Sequence, residues 1–178
     1  MQTIDLLEHY SAGAREFRGI NLSQAELSGA DLQGAILDGA NLRGVSAIAV
    51  NLAGANLSVA NLSEANLSEA DLSDANLRSS YLQNAVLEGA SLSESDLCGA
   101  NLNDADLRGV DLELADLTGA SLCGADLSGA NLSGAILNGA DLCGADLHRA
   151  HLEGACYNAA TRFDVTFDPG QAGLLLVE

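Results

Sequence analysis

The chain has 178 residues, 48% hydrophobic but only 3% aromatic, with no Trp, and its 25 acidic side chains against 7 arginines give a formal net charge of −18. That charge opposes direct binding to nucleic acid or an anionic membrane surface, and suits either a basic protein partner or plain solubility of a repetitive molecule. No segment approaches the ~20 apolar residues of a membrane span, and the acidic N-terminus lacks a secretory pattern, so a cytoplasmic protein is expected.

Met1–Gly13 (MQTIDLLEHYSAG) predicts a short amphipathic helix, with Thr3 as its cap, Ile4, Leu7 and Tyr10 on its apolar face, and Gly13 just past its end. From Phe17 a five-residue beat begins. Its central position, i, falls every five residues from Leu22 to Leu152, with Ala47 the single exception to Leu. Position i−2 is Ala throughout that span except at Ile20, Val45, Val50, Ser80, Ser95 and Val110. Position i−1 is most often Asn or Asp, and i+2 most often Gly.

An α-helix turns about 100° per residue, so a period of five scatters the leucines around it. A straight strand alternates faces, so an odd period sends successive leucines to opposite sides. One solution gathers them: residues i−2 and i point inward from a short extended segment, and the chain turns a corner before the next pair. Gly at i+2 supplies the positive φ such a turn requires. The expected architecture is all-β, a β-helix with one corner per repeat.

The tandem A(N/D)LSG units, as in ADLSGANLSG from Ala125 to Gly134, resemble the pentapeptide-repeat family. The resemblance covers Phe17 to Tyr157. It implies a right-handed quadrilateral β-helix of four repeats per coil and about seven coils, with a short N-terminal α-helical cap. A single domain is expected, divided into a cap helix (1–14), repeats (15–157) and a C-terminal cap (158–178). Both ends resemble the caps of cyanobacterial members of that family. The closing segment, with Phe163, Val165, Phe167 and Leu174–Val177, reads as a lid over the last coil. The chain is expected to be a monomer, the alternative being a homodimer through its C-terminal end.

Four repeats per coil stack residues 20 apart. One face then collects Asp71, Asp74, Glu94, Asp111 and Glu113 without an arginine, a candidate surface for a basic partner. Asn21, Asn41 and Asn61 form a column that predicts an amide ladder, while Asp106, Asp126 and Asp146 form a column of like charges. Val45–Val50, where Ala47 replaces Leu, reads as volume compensation by larger neighbours. Cys123 and Cys143 stack on adjacent coils and are a candidate redox pair. Neither a metal-ligand spacing nor a catalytic constellation emerges, so no cofactor, no metal and no enzyme activity are expected. The resemblance implies a non-enzymatic interaction or regulatory module. Its alternative implication is an acidic mimic of duplex DNA that binds DNA gyrase and protects it from quinolones.

Overall fold

The computed structural model describes residues 3–178, without the side chains of Thr3 and Ile4, so the expected roles of those two lie outside the described residues. From Glu16 to Cys156 the backbone forms an unbroken series of parallel bridges between residues 20 apart, beginning with Glu16↔Ile36 and closing with Ile136↔Cys156. Each coil is therefore four repeats long, and the chain winds as a solenoid. No helix among the described residues is long and apolar enough to cross a membrane.

The hydrogen bonds explain why five residues are the unit. In the repeat centred on Leu62, the N–H of Asn61 donates to Ala40 C=O in the preceding coil (2.9 Å). The N–H groups of Leu62 and Glu64 donate to Tyr81 and Gln83 C=O in the following coil (2.7 and 3.0 Å). Ala65 N–H closes the turn onto Leu62 C=O at 3.1 Å. The remaining N–H, on Ser63, lies inside the turn and donates to the side chain of Asn61 at 3.0 Å. Every backbone donor of the repeat is thus matched, as an interior built largely from turns requires. Asn and Asp serve equally at i−1 because either offers the Oδ1 that this Asx turn uses. The same bond recurs from Asn21 to Asp146 wherever the sequence allows it.

Leu at i and Ala at i−2 fill a single apolar core in which most of these side chains are fully buried. Val45, Ala47 and Val50 are buried together, in keeping with compensation for the missing Leu. The amide ladder forms only in part. Asn41 donates to Asn21 at 3.2 Å, but the carbonyl oxygens of this column mainly serve their own turns.

Helix α1 (Thr3–Ser11) covers the first coil. Among its described side chains the deepest is Leu6, with no exposed surface, whereas Leu7 and Tyr10 are half-buried at the edge of the core. Tyr10 also donates through its hydroxyl to Gln33 C=O at 2.8 Å, and Arg15 lies 3.8 Å over its ring. Gly13 lies just past the end of the helix, where φ is +98° and the Ala14 N–H reaches back to His9 C=O.

At the other end the register slips by one residue, so that Asp141 pairs with Arg162. Strand β1 (Cys156–Tyr157) then takes a parallel partner, β2 (Leu175–Leu176). Phe163 stacks on Phe167 at 5.0 Å and meets Tyr157 edge-on at 5.7 Å, packed against the core. The lid is narrower than its composition suggests. Leu174 is buried, but Val165 and both residues of β2, Leu175 and Leu176, are exposed.

Candidate functional site

The predicted acidic residues fall on three stacked repeats. Asp71 and Asp111 occupy one column with Ser91 between them, and the Asp74 N–H donates to Ser93 C=O as that of Glu94 does to Glu113 C=O. Two of the five carboxylates have structural partners. Asp71 accepts from the Ser73 N–H and hydroxyl (3.0 and 2.6 Å), and Asp111 from the Glu113 N–H and Asn131 amide (3.1 and 3.0 Å). Asp74, Glu94 and Glu113 are exposed and bond no side chain. The ion-paired arginines lie elsewhere: Arg18 with Glu16 and Asp38, Arg43 with Glu64, Arg78 with Asp96, Arg108 with Glu88 and Asp106, and Arg162 with Asp141.

Arg108 also defuses the like-charge column. It grips Asp106 through two bonds of 2.7 Å and approaches Asp126 to 4.0 Å. Its guanidinium holds the Asp106 carboxyl below the usual carboxylate range, with the Arg108 backbone N–H assisting.

Cys123 and Cys143 lie on adjacent coils, linked by the Gly124 N–H donating to Cys143 C=O at 3.2 Å, and all four cysteines are free thiols. Burial raises the pKa of Cys123, and the neighbouring Asp141 raises that of Cys143. Both effects disfavour the thiolate that disulfide exchange uses. A third cysteine, Cys98, sits beside two carboxylates. Among the described residues, Asp96, Cys98 and Asp116 are the group whose potential metal-ligand atoms lie within 4.8 Å of one another. Asp96 is already held by Arg78 and by the Cys98 N–H, and burial together with the two carboxylates pushes the Cys98 thiol up to about 12. A cation there would have to displace both an arginine and a proton.

Sequence reasoning missed a groove of about 550 Å³ that spans three coils, from Gly39 to Asn84. Its walls carry Val59 and Tyr81, both exposed. The available signal was the break in the Asn column at Tyr81.

This architecture and its repeats place the chain in a family. The pentapeptide repeats family matches in eight copies, over residues 16–44, 40–81, 80–119 and 125–156. The chain belongs to the pentapeptide-repeat family, whose members form right-handed β-helices. A search of curated proteins returned no match.

Among solved structures, the chain is similar to a trypsin-treated form of QnrB1, a plasmid-mediated fluoroquinolone resistance protein, with 22% identity and a TM-score of 0.80 over 91% of this chain and 82% of that one. At that identity the likeness is one of fold. It is also similar to HetL, a pentapeptide repeat protein involved in heterocyst differentiation regulation from the cyanobacterium Nostoc, at 34% identity over 87% of this chain and 94% of that one, with a TM-score of 0.36. A pentapeptide repeat protein of the Arabidopsis thaliana thylakoid lumen shares 33% identity over 56% of this chain and 70% of that one, with a TM-score of 0.54.

Proposed function

We propose that the chain is a non-enzymatic interaction module: a right-handed quadrilateral β-helix of about seven coils that presents an acidic face to a basic protein partner. The observation that carries this reading is the distribution of arginine. Asp71, Asp74, Glu94, Asp111 and Glu113 share stacked repeats with no arginine in ion-pair contact, while Arg18, Arg43, Arg78, Arg108 and Arg162 neutralise acids elsewhere. Unpaired carboxylates on a rigid surface steer a cationic partner and strengthen its encounter at low salt. The fold supplies the rigidity, since each coil is bonded to its neighbours by backbone throughout.

Reversing Asp74, Glu94 and Glu113 to Lys spares the two carboxylates that hold turns. A basic partner captured by the native chain should be lost by this variant and released by moderate salt. Equal capture by both chains would remove the acidic face from the proposal.

The second reading is a duplex mimic that binds gyrase. The fold similarity to QnrB1 and the net charge of −18 favour it, while the unbroken 20-residue register between Glu16 and Cys156 leaves no room for projecting loops. A supercoiling assay decides it: relief of quinolone inhibition by micromolar protein supports mimicry, and no effect rejects it.

A further inference from the structure

Tyr81 takes the place where an Asn stands in the three preceding coils and the following one, beside Asn61 and Asn101. A phenol sets no acceptor inside its own turn. Among the described residues, the Gln83 backbone N–H consequently has no partner, whereas the Ser63 N–H one coil earlier donates to Asn61. Other polar groups nearby are equally unengaged: Asn61 Nδ2, Gln83 Nε2, the Asn84 side-chain amide and the Tyr81 hydroxyl. All belong to residues lining the 550 Å³ groove, a size typical of small-molecule sites, roughly 300–1,000 Å³.

A second observation points to the same place. Val59, on the groove wall, is 55% exposed and has φ of +59°. A β-branched residue in the left-handed region is strained, and such strain persists where function retains it. Leu114 adopts a similar φ, but its Cδ2 lies 2.8 Å from where a Cβ on Gly134 would stand, so it covers the backbone of the next coil. Val59, by contrast, lines the groove beside Tyr81, and the stacked Gly39 has nothing within 4 Å of its Cβ position, so the groove is open on that side. The groove is also neutral in an acidic molecule, because Arg43 and Glu64 pair at 2.7 Å across it.

We propose that this groove binds a neutral saccharide, its apolar ring face against Tyr81 and Val59 and its hydroxyls bonded to the amides of Asn61, Gln83 and Asn84. A sugar presents C–H groups on one side and hydroxyls that both donate and accept on its edges. Carboxamides match those edges, since each offers a donor and an acceptor. An anionic ligand would need an unpaired arginine, and a basic peptide unpaired carboxylates; the groove has neither.

Titration calorimetry of the full chain with maltohexaose, cellohexaose, chitohexaose and mannohexaose tests this. One of these should bind saturably. Tyr81→Asn restores the residue usual in its column and should weaken that binding about tenfold or more, the loss expected of an aromatic anchor. Val59→Gly should also weaken binding while raising the unfolding midpoint by about 2–4 °C through release of backbone strain. Absence of saturable binding to all four sugars, or affinity unchanged in both variants, overturns the proposal.

Discussion

Ser80 and Ser95 occupy the same inward position, i−2, of repeats on different sides of the solenoid, and both are 1% exposed. The Ser95 hydroxyl donates to Leu92 C=O at 2.7 Å, while the Ser80 hydroxyl has no partner. Burying an unmatched hydroxyl costs about 1–3 kcal/mol, so Ser80→Ala should stabilise the chain by about 1 kcal/mol or more, and Ser95→Ala should not. Urea unfolding of the two variants side by side measures the difference.

Arg108 gives a second contrast, read through pH. Its contact lowers the pKa of Asp106, so this carboxylate contributes stability above the unfolded value of about 3.9, which is lost as pH falls through the lower folded value. In Arg108→Gln the guanidinium's share of the depression is lost and only the backbone N–H remains, so the acid-induced loss of stability between neutral pH and about pH 3 should be smaller than in the native chain. Denaturation midpoints across that range check the sign. The alternation of Asn and Asp at i−1 was plain in the sequence. Its reason was not, because composition does not reveal which N–H a turn leaves over.

At the scale of elements, the repeats were the most legible part, since a period of five admits few ways to bury every Leu. The caps were harder because they are not periodic. Helical spacing in α1 favoured Leu7 and Tyr10, yet of the described side chains the coil end admits Leu6 most deeply, one turn before Tyr10. Truncating this plug as Leu6→Ala should cost about 2–4 kcal/mol and fray the first coil, seen as early amide exchange around Phe17 and Leu22. At the C-terminus, Thr161 Oγ1 donates to Leu137 C=O at 2.8 Å and Asn158 Oδ1 accepts from the Gly139 N–H at 3.0 Å. Side chains there replace the backbone bonds of a further coil, and nothing in the pentapeptide pattern announces such a substitution. The stacking of Asp71, Ser91 and Asp111 in one column followed from the four repeats per coil that the family resemblance implied. The groove did not, because it depends on two separate exceptions, Val59 and Tyr81, meeting across adjacent coils.

For the molecule as a whole, contacts run mainly between neighbouring coils, so stability accumulates coil by coil and is least at the ends. The core is indifferent to which repeat follows which, since nearly all bring the same Leu and Ala inward. The surface is not indifferent, because every column is defined by its 20-residue stacking.

The two periods, five for the interior and 20 for the exterior, therefore act like a combination dial. Removing one pentapeptide, Ser121–Ala125 for example, leaves the core in step but turns everything beyond it by one repeat about the axis. Such a chain should stay folded by circular dichroism, with a modest loss in its unfolding midpoint. It should keep the features confined to one side of the cut, including the Tyr81 groove and the acidic residues up to Glu113. Features that straddle the cut should be scrambled: Arg108 would no longer meet Asp126, and Cys123 would be gone from beside Cys143. Removing a full 20 residues should shorten the rod and leave the remaining columns aligned. The molecule can thus be edited in clicks, and the number of clicks separates what the surface does from what the core requires.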